Sequence, residues 1–454
     1  MSQTLMISVS GMRGIVGADL TPELVARHAA ALGAWAKAAG QPSVVLGRDA
    51  RTSGPMFASA ASAGLMSVGC TVIDLGVVPT PTVQLAVTHH QAGAGLILTA
   101  SHNPVEWNAL KLVGSDGIFL GPEAGAAVRA MADEGPPRAG WDGLGTVKED
   151  RGAITRHLEA VLSLHEVDVR AIRKRQFKVA IDCVRGAGGL IIPQLLERLH
   201  CVVSAINLEA DGRFPREPEP IPENLGALGN LVRGTGADLG MAVDPDVDRL
   251  ALVDERGEPI GEDYTLAFAI RAVLRGASAL EPPLVVANLS TSLVVEDAAS
   301  QGGARFLRAP VGEAHVARMM LDEGALIGGE GNGGVMLPGF HAGRDAPLGV
   351  ALILQYLAVE NKPVSALVAA APRYQIVKAK ARRGSDLQTA YAALKKRFPE
   401  ASADERDGLR LAWRNRWVHL RPSGTEPVVR FIAEAPTQAE AQELVEVCRT
   451  LLQS

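Results

Sequence analysis

The sequence predicts an α/β chain: three successive αβ blocks closed by a C-terminal α+β block. Three observations predict it. Short apolar runs of strand length alternate with helical stretches through most of the 454 residues. A stretch rich in Gly and Pro, residues 133–142, separates the first block from the second. From residue 371 onward the order becomes strand, helix, several strands and a final helix, which is not the pattern of parallel crossovers.

In the first block, residues 5–8 read as a strand. Thr21 followed by Pro22 and Glu23 opens a helix, because a threonine cap accepts an orphan amide hydrogen bond and proline suits the first helical position; Gly40 ends it. Residues 43–46, 71–75 and 95–98 are apolar strands, with helices at 53–67 and 82–90 between them. The second block holds a strand at 179–183, a helix at 190–199 and strands at 202–208 and 238–243. The third holds helices at 264–274 and 293–299 and strands at 284–288 and 325–328. The last block holds a helix at 387–398, strands at 409–413, 417–420 and 428–432, and a helix at 438–452.

Composition narrows the function. The chain is 47% hydrophobic and 21% charged, as a soluble globular protein is. Aromatics are only 4%, so the cores are aliphatic and platforms for stacking bases are scarce. With a net charge of −5 and no basic block, nucleic acid is excluded as the main partner, while a small anionic substrate remains open. Cys70, Cys183, Cys201 and Cys448 form no CxxC pair and read as reduced core thiols. No basic leader with a long apolar stretch stands at Met1–Thr4, and no run approaches the ~20 apolar residues of a membrane span. A cytoplasmic protein without a membrane partner is expected.

Four polar segments carry chemistry. Gly95-Leu96-Ile97-Leu98 delivers Thr99-Ala100-Ser101-His102-Asn103-Pro104, a loop that presents a hydroxyl able to carry a transferable group; an ordinary turn is the alternative. Asp244-Pro245-Asp246-Val247-Asp248-Arg249 sets three carboxylates at alternate positions, which repel unless a divalent cation neutralises them; all-oxygen ligands favour Mg²⁺, and a solvated acidic turn is the bland reading. Gly328 to Gly334 brings glycines that admit a ligand closely and two groups, Glu330 and Asn332, that bond vicinal hydroxyls; taken alone, a flexible turn with Glu330 exposed is slightly the better reading. Arg421-Pro422-Ser423-Gly424-Thr425-Glu426-Pro427, with Arg430 after it, combines hydroxyls, loop amides and arginines that grip a phosphate dianion; a hairpin turn with surface arginines is the alternative. Arg13 sits in a glycine-rich loop, Ser10 to Gly17. Lys111 lies ten residues beyond Ser101 and is a candidate for proton transfer, although a lone lysine is more often solvated, and His102 is more often structural.

Taken together and in this order, these segments resemble the α-D-phosphohexomutase family, which isomerises hexose 1- and 6-phosphates. The resemblance covers nearly the whole chain. It rests on the loops Thr99–Pro104, Asp244–Arg249, Gly329–Gly334 and Arg421–Pro427, with echoes at Asp182, Gly186-Ala187-Gly188, residues 211–215 and Pro222-Glu223-Asn224-Leu225. It implies three related αβ domains with mixed sheets and an α+β domain around a central cleft, divided as 1–150, 151–258, 259–370 and 371–454. By position it implies that Ser101 carries the phosphoryl group and that Asp244, Asp246 and Asp248 hold one Mg²⁺ with it. Arg13 and Arg249 then steady the transferring group, Lys111 moves the proton, and His102 is counted with them among the catalytic residues. Glu330 and Asn332 read the sugar, and Arg421, Ser423, Gly424, Thr425 and Arg430 hold the phosphate that does not react. A hexose 1,6-bisphosphate is the implied intermediate and activator.

Two departures bear on substrate. Asn108-Ala109-Leu110-Lys111 replaces an Asn-Gly start, a change expected to affect loop flexibility. Asn332-Gly333-Gly334, with Gly343-Arg344-Asp345 and Pro310-Val311-Gly312-Glu313, is similar to a branch common in archaea. Glucosamine 6-phosphate to glucosamine 1-phosphate is the first expectation, and phosphomannomutase or phosphoglucomutase the next. A metal-dependent sugar phosphatase and a non-catalytic sugar-phosphate sensor are the readings from other classes. A monomer or homodimer is expected.

Overall fold

The computed structural model describes residues 5–8, 11–276, 281–382, 387–422 and 428–453. Four sheets organise them. The first has seven strands in the order Met6–Ser8, Gly11–Ile15, Trp107–Gly114, Ala94–Leu98, Ser43–Arg48, Thr71–Val77, Val147–Glu149. The second runs Leu250–Val253, Leu239–Val243, Lys178–Asp182, Val202–Ile206, and the third Arg305–Ala309, Leu284–Asn288, Ile327–Glu330, Gly334–Met336. The fourth is antiparallel throughout: Gln375–Arg382, Val428–Ala435, Trp417–Pro422, Leu409–Ala412, Ser402–Asp404, with helices Leu387–Arg397 and Gln438–Gln453.

The first three sheets repeat one arrangement. In each, a central strand pairs in parallel with an earlier strand, and the chain then returns antiparallel along its other edge. These central and returning strands are Ala94–Leu98 with Trp107–Gly114, Leu239–Val243 with Leu250–Val253, and Ile327–Glu330 with Gly334–Met336. The loops linking the two strands are those that carry Ser101, the three aspartates and Asn332. Each leaves the carboxyl end of a parallel strand, where open α/β sheets bind ligands.

The third repeat differs from the sequence reading in one detail. Glu330 ends the strand Ile327–Glu330 instead of lying in a glycine-rich loop. Gly328 and Gly329 extend the strand because each is pressed against backbone: a Cβ at Gly328 would lie 2.0 Å from Val286 O. Asn108 to Lys111 also lie within a strand, Trp107–Gly114, paired on both sides, so Ala109 has no loop to stiffen.

The sequence reading also left out several helices, among them Pro122–Glu134, Ala153–Leu162, Gly226–Thr235, Glu313–Asp322 and Ala346–Glu360. Ala346–Glu360 is apolar nearly all round, with eleven of its 15 residues buried, as a helix wrapped on every side must be. It packs on Asp263–Gly276 and on helices of the second block. One apolar cluster accordingly runs through the second and third repeats, from Leu158 to Ala371. The first repeat has two clusters of its own, which partly buried Ala314 joins at its edge, and the C-terminal block keeps a separate one. Asp345 Oδ1 caps Ala346–Glu360 through Leu348 N at 2.8 Å, and its Oδ2 meets His157 Nε2 at 2.8 Å and His341 Nε2 at 2.9 Å. His157 Nδ1 in turn meets Thr82 Oγ1 at 2.8 Å, which ties the first repeat to the other two.

Candidate active site

The serine loop is held by a buried arginine. Ser101 adopts a left-handed φ of 48°, a conformation that costs free energy outside glycine and persists only when its surroundings impose it. Its amide donates to Thr99 Oγ1 at 2.9 Å, and the Thr99 hydroxyl donates to Asp49 Oδ2 at 2.7 Å. Arg51, wholly buried, pairs with Asp49 at 3.0 Å. It also donates to four carbonyls of the loop: Ser101 at 2.7 Å, Asn103 at 2.7 Å, Pro104 at 2.6 Å and Trp107 at 2.9 Å. Sequence reading assigned Asp49 and Arg51 no role; the available signal was an Asp and an Arg two residues apart at a buried strand's end. Replacing Arg51 with Met leaves the Asp49 charge and four carbonyls unpaired. The expected loss is about 3–5 kcal/mol of stability, read as a lower denaturant midpoint of the first unfolding transition.

The acidic loop brings its three carboxylates within 4.8 Å of one another, all buried. Val247 makes this possible. It takes a φ of 63°, strained for a β-branched residue, and buries its own side chain while the aspartates on either side converge. Each carboxylate is fixed through specific donors. Asp244 Oδ1 accepts from the amides of Asp248 and Arg249 at 3.2 and 3.3 Å, and its Oδ2 accepts from Ser101 Oγ at 2.8 Å. Asp246 Oδ2 accepts from Thr80 Oγ1 and Lys111 Nζ, both at 2.7 Å. Asp248 Oδ2 accepts from Arg344 Nη2 at 2.5 Å. Asp246 Oδ1 and Asp248 Oδ1 remain buried without a hydrogen-bond partner.

Electrostatics reflect the crowding. Burial, then the charges of Asp248 and Asp246, push the Asp244 carboxyl well above its usual range. Burial acts on Asp246 in the same sense, but the Lys111 ammonium and the Thr80 hydroxyl hold it below that range. Lys111 is buried too, yet Asp246 and Asp248 outweigh desolvation and raise its pKa, so it stays an ammonium at neutral pH. Two orphaned oxygens facing a third carboxylate are what a hard, oxygen-seeking divalent cation requires, so the residues present fit one.

A cleft of about 360 Å³ opens over Ser101, lined by Arg13, Lys111, Arg249, Arg318 and Arg344, with Glu313 the one acidic side chain among its described lining residues. Arg13 Nη1 donates to Asn103 Oδ1 at 2.5 Å, and Arg249 pairs with Glu219 at 3.1 Å and with Asp248 at 3.8 Å. The density of cations suits a phosphate. His102 lines the same cleft, its Nδ1 3.4 Å from Ser101 Oγ. Burial, with Arg249 and Arg13, drives its pKa down to about 2, so it stands as a neutral imidazole.

Glu330 reaches this cleft through intermediaries. Its Oε1 accepts from Asn288 Nδ2 at 2.8 Å and from Gly312 N at 3.0 Å, and its Oε2 accepts from Arg344 Nη1 at 2.9 Å. Asn332 Oδ1 is buried without a hydrogen-bond partner. Gly333, at φ 88°, lays its backbone on the strand after the aspartates: its carbonyl accepts from Leu250 N at 3.0 Å, and a Cβ there would stand 2.4 Å from Leu250 O.

Ser423, Gly424 and Thr425 lie outside the described residues. Their flanks do not. Lys380, Arg430 and Arg421 stand directly opposite one another on three adjacent strands. Arg421 Nε bonds both oxygens of Asp407, at 2.9 and 2.7 Å, and Asp407 Oδ2 also accepts from Val311 N at 3.0 Å, beside the cleft.

Comparisons with known proteins cover nearly the whole chain. The chain matches the models of phosphoglucomutase/phosphomannomutase α/β/α domains I, II and III over residues 5–138, 155–257 and 261–374, and of the C-terminal domain over 375–450. It is 39% identical to a phosphoglucomutase/phosphomannomutase of Thermococcus kodakarensis, over 98% of this chain and 97% of that one. It is 38% identical to a probable phosphoglucosamine mutase of Methanopyrus kandleri, over 96% and 95%. A crystal structure of a phosphoglucomutase/phosphomannomutase family protein from Burkholderia thailandensis superposes with a TM-score of 0.86 at 25% identity, covering 100% of this chain and 98% of that one.

Proposed function

The chain belongs to the phosphoglucomutase/phosphomannomutase family, and from that premise we propose that it interconverts glucosamine 6-phosphate and glucosamine 1-phosphate through a phosphoserine at Ser101. The observation that carries the reading is Ser101 itself. Its hydroxyl stands on a left-handed residue, 2.8 Å from Asp244, under a cleft lined with cations.

Phosphoryl transfer needs alignment and charge neutralisation more than covalent machinery. A free hydroxyl of the sugar monophosphate attacks the phosphorus on Ser101. The new P–O bond forms as the P–Oγ bond breaks, leaving a hexosamine 1,6-bisphosphate and a seryl oxygen. Lys111, held protonated by Asp246 and Asp248, donates to Ser101 Oγ and regains a proton from the sugar hydroxyl. The bisphosphate turns over in the cleft and returns its other phosphate to Ser101 by the reverse step; added hexose 1,6-bisphosphate primes an unphosphorylated chain in the same way. Mg²⁺, when held by Asp244, Asp246, Asp248 and the Ser101 phosphate, supplies charge neutralisation at the phosphoryl oxygens. Arg13 and Arg249 align the group in transfer. Arg421 and Arg430, with Ser423, Gly424 and Thr425, hold the phosphate at rest, and Glu330 and Asn332 orient the ring.

The test is a panel of glucosamine, glucose and mannose 1-phosphates assayed for 6-phosphate products with Mg²⁺ and a bisphosphate primer. Glucosamine phosphate is expected to show the highest kcat/KM. Faster turnover of glucose or mannose phosphate would favour the second reading, a phosphoglucomutase/phosphomannomutase, which the name of the Thermococcus relative supports. Release of inorganic phosphate without isomerisation would favour a phosphatase, a reading that needs no second phosphate site.

A further inference from the structure

Arg344 joins two sites that the proposed chemistry treats separately. It stands just before helix Ala346–Glu360, whose first turn Asp345 caps. The residue is 7% exposed, and its guanidinium reaches three carboxylates from three segments: Asp248 Oδ2 at 2.5 Å, Glu313 Oε2 at 3.0 Å and Glu330 Oε2 at 2.9 Å. Glu313 Oε1 accepts in turn from Gln84 Nε2 at 3.2 Å, so the network extends into the first repeat. The stem of Arg344 lies against the glycine-rich loop, where a Cβ on Gly334 would be 2.3 Å from Arg344 Cδ. A planar guanidinium can address three carboxylates along three N–H directions; a lysine ammonium at the end of a flexible stem cannot hold all three in fixed orientations.

The consequence for the acidic triad is specific. With Oδ2 of Asp248 taken by Arg344, its Oδ1 is left buried without a hydrogen-bond partner, with Arg249 Nε 3.8 Å away, as Oδ1 of Asp246 is left without one by Lys111 and Thr80. We propose that Arg344 is a positioning residue that couples the cation site to the sugar loop: it turns one oxygen of Asp248 toward the cation and, through the same guanidinium, sets Glu330 for the sugar. The two sites are then energetically linked although, among the described residues, no hydrogen bond joins Glu330 to the triad. The inference rests on reading the triad as a metal site.

The test is direct Mn²⁺ binding to the full-length, sugar-free protein, followed by electron paramagnetic resonance of the free ion, alongside KM for glucosamine 6-phosphate. Groups that orient a metal ligand typically change affinity by about 10–100-fold when removed. Arg344→Met is expected to weaken Mn²⁺ binding by that factor and to raise KM, and Arg344→Lys to do so less. Glu330→Gln is expected to change Mn²⁺ affinity in the native background and not in the Arg344→Met background. Should Arg344→Met fail to fold, Arg344→Lys and Glu330→Gln carry the test by themselves. Native Mn²⁺ affinity in Arg344→Lys and Glu330→Gln, with Asp246→Asn weakening binding, would overturn the inference and leave the metal site standing. Absence of Mn²⁺ binding in the native chain would overturn both.

Discussion

Alanine at position 101 is expected to abolish isomerisation while sugar phosphate still binds. The substitution removes one oxygen, and that oxygen is the only proposed carrier of the phosphoryl group between the two ends of the sugar. Loss of an essential nucleophile lowers kcat by about 10⁴-fold or more. Binding is expected to survive because Arg13, Lys111 and Arg249 line the cleft independently of the serine, and because Arg51 holds the loop through carbonyls that alanine retains. Two measurements check this: a coupled assay of hexosamine 1-phosphate conversion, and transfer of labelled phosphate from a bisphosphate to protein. Near-native turnover, or a label that still attaches in the variant, would remove Ser101 from the mechanism.

Asparagine at position 246 is expected to be nearly as damaging by a different route. Its carboxylate takes the Lys111 ammonium and the Thr80 hydroxyl on one oxygen and leaves the other buried and free. The amide removes the charge from both. Lys111 loses its closest counter-charge in a buried setting, and the cation site loses one anionic ligand of three. A bound metal contributes several kcal/mol to charge stabilisation, so at about 1.4 kcal/mol per tenfold the expected fall in kcat/KM is about 10²–10³-fold. The Mg²⁺ activation curve is expected to move to higher concentration. An unchanged Mg²⁺ requirement would sink the assignment of this loop.

The local parts of the site were legible because each is written within a few residues of chain. Three aspartates at alternate positions after an apolar run, or a serine between Thr99 and Pro104, are patterns that a strand end delivers to one place by geometry alone. The alternation of strand and helix likewise exposed the three αβ blocks, and the C-terminal block stood out by breaking that alternation. Helix Ala346–Glu360 was not legible, because a segment buried on all sides has no polar face and hence no period to detect. The alternative of a flexible turn with Glu330 exposed does not hold: the carboxylate is buried and accepts from Asn288, Gly312 and Arg344, partners from distant segments that no local pattern marks.

The amino-acid order by itself determined the chemistry on offer: a hydroxyl, an acidic triad, a glycine-rich loop and an arginine-rich hairpin, each a short-range pattern at the end of a strand. Tertiary structure alone decided how they work on one another. Arg51 reaches the serine loop from about fifty positions away, Lys111 crosses to Asp246 and Arg344 to Asp248. A lone arginine or lysine has no periodicity and no neighbours in sequence to mark it. Its partner is set by which loops the packed domains bring face to face, and burial then makes each such pairing strong and each unpaired oxygen costly.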